Sequence, residues 1–226
     1  MSVPVAAAVF DAYGTLLDVH AAMSRHAARL GAEWQVLSAE WRLKQLEYTW
    51  VRTLVGPAHH IDFAQITDAA LAHVAARHGI ADAALLDDLR AAYRRLDAFP
   101  DAAPALAALR DAGIGRAILS NGAHAMLAEA VAAAGLDGLL DDVLSVEEAG
   151  LYKPDPRVYR LATERFEMPA ERLAFVSSNP WDAFGAREFG FRVIWCNRGG
   201  VPDEYGLRGS VIEISDLAAL PAHLAR

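Results

Sequence analysis

The sequence predicts an α/β fold: a doubly wound, Rossmann-like parallel sheet core with a helical cap domain inserted after its first strand. Three features point there. Short apolar runs such as Val5–Phe10 and Leu173–Val176 lack polar alternation, as expected of strands covered on both faces in a parallel sheet. Helix-like segments closed by glycine separate these runs in the alternating manner of βαβ units. One stretch, Ala21 to about Asp97, has no convincing strand; it is rich in Ala, Leu, Arg and Glu and reads as helices. The expected division is a core of residues 1–18 and 98–226 and a cap of residues 19–97.

The first strand ends at Phe10 and opens into Asp11-Ala12-Tyr13-Gly14-Thr15, where Gly14 permits a tight turn. In the cap, Ser38-Ala39-Glu40-Trp41 is the expected opening of a helix that continues through Trp50. Gly56-Pro57 then breaks the pattern, and the next helix covers Phe63 to Gly79. Trp34, Trp41 and Trp50 read first as packing residues. Phe99-Pro100 and Pro104 mark the return to the core. A helix over Ala105–Ala112 stops at Gly113, and a strand over Arg116–Leu119 ends in Ser120-Asn121-Gly122. A helix from His124 to Ala134, a strand over Asp142–Val146, the loop Leu151-Tyr152-Lys153-Pro154 and a helix from Pro156 to about Phe166 follow. Leu173–Val176 is the next strand, opening into Ser177-Ser178-Asn179-Pro180-Trp181-Asp182. A short helix to Gly190, strands over Phe191–Trp195 and near Val211–Ile214, and a closing helix complete the chain.

With 226 residues and 54% hydrophobic content, the chain has ample material for a core. A net charge of -8, without a basic run, argues against nucleic acid or an anionic membrane surface as the main partner. The single cysteine, Cys196, excludes an internal disulfide and a multi-cysteine metal site, and reads as a buried hydrophobe. His59-His60 has no evident third ligand and reads as solvent loop. No signal-like or bilayer-spanning stretch is evident, so the expected location is cytoplasmic.

Three strand ends present polar groups at one sheet edge: Asp11 with Thr15, Ser120 with Asn121, and Ser177 with Asn179 and Asp182. Lys153 stands on a fourth loop. Singly, each is an ordinary turn or capping residue. Together they predict a site where open α/β sheets place their chemistry. The residues resemble the haloacid dehalogenase superfamily, and more finely its L-2-haloacid dehalogenases. The motifs that carry this are Phe10-Asp11-Ala12-Tyr13-Gly14-Thr15-Leu16, the segment Trp41-Arg42 through Thr49-Trp50, Leu119-Ser120-Asn121-Gly122, Tyr152-Lys153-Pro154-Asp155-Pro156-Arg157-Val158-Tyr159, and Ser177 through Ala186.

The resemblance implies that Asp11 attacks C2 of an L-2-haloalkanoate, expelling halide with inversion, and that water then hydrolyses the aspartyl ester to a D-2-hydroxy acid. It assigns Lys153 to hold Asp11, Arg42 to receive the halide, and Ser120 and Asn121 to bind the substrate carboxylate. Thr15 steadies Asp11, Ser177, Asn179 and Asp182 serve the hydrolytic water, and Tyr159 supports them. Tyr13, Leu46, Phe63 and Trp181 would wall the pocket, each also readable as plain core. No cofactor or metal is implied: a phosphatase-type magnesium site wants further carboxylates where this chain has Tyr13 and Ser178, whereas halide leaves without a proton. Members of the family often pair as dimers. Two departures stand out: Leu43 replaces an expected glutamine, and the loop Gly56-Pro57-Ala58-His59-His60 is longer than usual. A phosphatase of the same superfamily and a non-catalytic binding protein are the alternative readings.

Overall fold

The computed structural model describes residues 4–224; the outermost residues of the expected core, 1–3 and 225–226, lie outside the described residues. Six parallel strands form one sheet in the order β3-β2-β1-β4-β5-β6. The strands are β1 (Ala7–Phe10), β2 (Gly115–Ser120), β3 (Asp142–Ser145), β4 (Leu173–Ser177), β5 (Arg192–Cys196) and β6 (Ile212–Ile214). The winding reverses at β1: its neighbours are β2 and β4, with Phe10 opposite both Ile118 and Val176. The ends of these three strands therefore meet at one crevice, the switch point where such sheets bind ligands. All four residues of β1 are buried, which explains the run without polar alternation.

Between β1 and β2 lie α1 (Ala21–Ser24), α2 (Ala27–Leu30), α3 (Trp34–Val55), α4 (Phe63–His78) and α5 (Ala83–Arg94). No strand of the sheet falls in this segment. It leaves and rejoins the sheet through two adjacent connections, Leu17 bridging Ala98 and Asp18 N–H donating to the Asp97 carbonyl at 2.9 Å. The remaining helices are α6 (Ala102–Asp111), α7 (His124–Ala133), α8 (Pro156–Phe166), α9 (Pro180–Phe189) and α10 (Leu220–Leu224).

Two helix starts differ from the sequence expectation. α3 begins at Trp34, because Ser38 does not cap it; the Ser38 hydroxyl instead pairs with His20 Nδ1 at 2.7 Å. α6 begins at Ala102 with Pro104 inside its first turn, where no intrahelical donor is needed. By contrast, α4 starts and stops as composition dictates. Asp62 and Gln65 form a reciprocal capping box, and Gly79 closes the helix in the left-handed conformation. Trp41 is core, its indole N–H donating to the Thr67 carbonyl at 2.9 Å. Cys196 is free and buried, and among the described residues no helix is long and apolar enough to cross a membrane.

Candidate active site

Asp11 lies immediately beyond β1, with only 4% of its surface exposed. Its backbone N–H donates to the Val176 carbonyl, tying the turn to β4. The carboxylate is gripped on both oxygens. Lys153 Nζ donates to Oδ1 at 2.9 Å, while Thr15 Oγ1 and Asn179 Nδ2 donate to Oδ2 at 3.2 and 2.7 Å. Thr15 is itself fixed, because its oxygen accepts the Ser178 N–H at 2.8 Å.

Lys153 is fully buried and shared by a second carboxylate, Asp182 Oδ2 at 2.8 Å. Asp182 also accepts from Tyr159 Oη at 2.7 Å and Ser177 Oγ at 3.1 Å. Burial works against the Lys153 charge, yet the two carboxylates outweigh it and hold its pKa above the usual lysine range. Burial pushes Asp182 upward and Asp11 adds to that, against the pull of Lys153. Burial likewise drives the Tyr159 hydroxyl well above its ordinary value, so it stays protonated and donates.

The β2 loop reaches the same place. Ser120 Oγ accepts the Gly122 N–H at 3.1 Å, which leaves its proton to donate, and Asn121 Oδ1 accepts the Lys153 backbone N–H at 3.0 Å. A side chain on Gly122 would lie 2.8 Å from both Leu127 and Tyr13, so glycine is required for this close approach. Asp11, Thr15, Asn121, Lys153, Tyr159, Ser177, Asn179 and Asp182 thus form one hydrogen-bonded assembly from four loops or strand ends and two helices, α8 and α9, with Ser120 beside it.

The helical segment covers this assembly with aromatic surface. Tyr13 packs on Phe63 at 5.5 Å and on Tyr93 at 5.8 Å between ring centroids, and Leu46 is buried on α3. The Tyr13 hydroxyl is buried without a protein partner, and burial pushes its pKa far upward. Arg42 Nη2 donates to the Tyr13 carbonyl at 3.2 Å, an oxygen that also accepts from Asn179 Nδ2 at 3.1 Å. Arg42, Gly14, His20, Ser178, Asn179 and Arg198 line a cavity of about 620 Å³; among them Asn179 also donates to Asp11.

Trp181 stands apart: it meets Trp50 edge-on at 5.6 Å in an apolar groove with Leu54, Pro154, Phe184 and Tyr205. Leu43 is 56% exposed and faces solvent. His60 packs against the Tyr152 ring at 4.9 Å. Among the described residues no group of three His, Cys, Asp or Glu side chains has metal-holding geometry; Asp11 and Asp182 converge on an ammonium instead.

Sequence reasoning missed Tyr93, Gln45 and the bracing of Thr15. Arg198 donates to the Thr15 carbonyl at 3.0 Å, pairs with both oxygens of Asp101 at 2.7 and 2.9 Å, and lies over the Phe99 ring at 4.2 Å. The one available signal was Arg198 two residues beyond the end of β5.

A loop bearing a buried carboxylate after the central strand of a 3-2-1-4-5-6 sheet, paired with a buried lysine that a second acid shares, marks out a class of α/β proteins. The chain belongs to the haloacid dehalogenase-like hydrolases, whose family model matches residues 5–190. Its similarity extends over nearly its full length to (S)-2-haloacid dehalogenase 4A of Burkholderia cepacia, 45% identical over 97% of this chain and 95% of that one. A crystal structure described as a dehalogenase superposes with a TM-score of 0.95 at 45% identity, covering 98% of both chains. The L-2-haloacid dehalogenase of Xanthobacter autotrophicus, solved with chloropropionic acid covalently bound, superposes with a TM-score of 0.85 at 36% identity, covering 96% of this chain and 97% of that one.

Proposed function

We propose that this protein hydrolytically dehalogenates L-2-haloalkanoic acids to D-2-hydroxy acids through an ester on Asp11. The observation that carries the reading is the Asp11 carboxylate itself, nearly buried and oriented by Lys153, Thr15 and Asn179. The covalent chloropropionate adduct of the Xanthobacter relative supports a covalent route. An Asp11 oxygen attacks C2 from the side opposite the halogen, and the electron pair of the carbon–halogen bond leaves with the halide. Water then adds to the ester carbonyl, losing a proton, and the C2–oxygen bond stays intact as the hydroxy acid departs with the second oxygen restored to Asp11.

Substrate and nucleophile are both anionic, so cations must offset their repulsion. Lys153 holds and aims Asp11, and Arg42 supplies the charge for halide and substrate from the helical side. Ser120 and Asn121 bind the substrate carboxylate. Ser177, Asn179 and Asp182, with Tyr159 behind them, order the hydrolytic water. Tyr13, Leu46 and Phe63 exclude bulk water, which strengthens these interactions. In this reading residues 19–97 act as the cap over a core of residues 1–18 and 98–226.

Halide release from L- and D-2-chloropropionate, with EDTA present, tests the proposal. Release from the L form alone, abolished in Asp11→Asn, is the expected result. No halide from either, with magnesium-dependent phosphate release from p-nitrophenyl phosphate, would assign a phosphatase instead.

A further inference from the structure

Two stretches of chain connect the sheet to the helical segment, and one arginine outside both holds them. The Arg198 guanidinium, reached just after β5, meets three groups at once. Nη1 and Nη2 donate to the two oxygens of Asp101 at 2.7 and 2.9 Å, Nη2 also donates to the Thr15 carbonyl at 3.0 Å, and the guanidinium lies over the Phe99 ring at 4.2 Å. Thr15 belongs to the outgoing stretch and Phe99 and Asp101 to the returning one; the Phe99 N–H joins the two by donating to the Leu16 carbonyl at 2.9 Å. A lysine has neither the bidentate fork nor the flat face that this arrangement uses.

An ion pair between β5 and the returning stretch would hold the fold here without Thr15. The pairing is instead end-on: among the described residues Arg198 Nε is buried with no hydrogen-bond partner, whereas side-on pairing through Nε would have used it. Leaving a buried donor unpaired lowers stability; what the end-on pose provides in return is the contact to Thr15. Arg198 also lines the cavity, but Asp101 already matches its charge, so it is not placed as a cation for an anionic substrate. Its reach to Asp11 passes through one residue. The Thr15 hydroxyl accepts the Ser178 N–H at 2.8 Å, so its proton goes to Asp11 Oδ2. At 3.2 Å that bond is the longest of the three that orient the carboxylate, and a shift of the Thr15 backbone takes it out of range before the bonds from Lys153 and Asn179.

We propose that Arg198, anchored by Asp101 and Phe99, is a positioning residue for the nucleophile: it fixes the Thr15 peptide and, through the Thr15 hydroxyl, the direction of the Asp11 carboxylate. This rests on the dehalogenase reading. In that reaction the Asp11 oxygen–C2 bond forms as the carbon–halogen bond breaks on the opposite side, its electron pair leaving with the halide. A carboxylate turned off that line loses rate, while substrate binding, made by other groups, is kept.

The test is single-turnover chloride release from L-2-chloropropionate with protein in excess, which reads the attack step alone and keeps slow variants measurable. Arg198→Lys is expected to lower the saturating rate about tenfold and to leave the half-saturating concentration within about twofold. In a Thr15→Val background, where the hydroxyl that transmits the effect is gone, the same substitution should cost less than about twofold, a non-additivity that a purely structural role would not produce. Arg116→Lys, which removes a buried guanidinium paired with Asp141 at the start of β2, serves as the control and should leave the rate unchanged. Asp101→Asn keeps Arg198 but weakens its anchor; it should show the same pattern at about threefold, and it carries the test if the lysine variant does not fold. A loss that persists in full without the Thr15 hydroxyl, a loss confined to half-saturation, or no loss overturns the proposal and leaves the dehalogenase reading intact. A wild-type protein that releases no chloride overturns both.

Discussion

The two sides of the site are built on opposite physical plans. The sheet side is an electrostatic frame: Asp11, Lys153 and Asp182 are buried, mutually paired and anchored to strand ends. The helical side is a wall of packed rings, Tyr93, Phe63 and Trp41, from which one cation, Arg42, reaches Asp11's neighbourhood. A buried charge is tolerable only while its partners stay in place, whereas a packed ring loses only contact area when a neighbour shrinks. Chemistry should therefore fail at once on the sheet side and decline gradually on the helical side.

The sharpest test of that contrast is Lys153→Met. Removing the ammonium leaves two carboxylates facing each other in a buried space, and the expected cost is about 3–5 kcal/mol of folding stability together with all halide release. Urea unfolding and an ion-selective assay read the two losses. Leu71→Ala on α4 comes next. It empties part of the helical core and should cost about 2–5 kcal/mol, yet leave kcat at temperatures well below melting within twofold of wild type. Comparable destabilisation with opposite effects on catalysis would sharpen the contrast; loss of kcat in Leu71→Ala would break it.

The smallest effect lies where the two sides join. Burial, helped by Arg42 and opposed by Asp18, lowers the pKa of His20 below 6.5. The unfolded chain then takes up this proton first, so the stability contributed by neutral His20 is full above pH 6.5 and is lost as pH falls through the lower folded value. Wild-type melting temperature should drop over that window, and His20→Gln should flatten part of the slope.

This division also explains what could be read from the sequence. Asp11, Lys153 and Asp182 stand where uninterrupted apolar runs stop or in the loop between two of them, and chain topology alone delivers strand ends to one edge. The helical side lacks that rule. Ser38 has the chemistry of an N-cap but spends its hydroxyl on His20, 18 positions away, so α3 starts earlier than its local signal suggests. Tyr93 is 48 residues from Gln45 and 80 from Tyr13, and nothing near it in sequence marks it as different from any helix aromatic. Trp181 joined the right motif but faces a groove with Trp50, because position along a motif does not fix which way a helix turns its side chain.

The sheet order has a consequence for how the protein is made. β1 is made before the other five strands of the sheet, yet its two neighbours are β2, beginning at Gly115, and β4, beginning at Leu173. The strand that carries Asp11 must wait for more than two-thirds of the chain before both of its edges are paired. During that wait it is an unprotected apolar template, a hazard of parallel sheets with distant partners. Nascent chains halted short of Asp182 should accordingly depend on chaperones and be inactive, with activity emerging only as the last third of the polypeptide is synthesised.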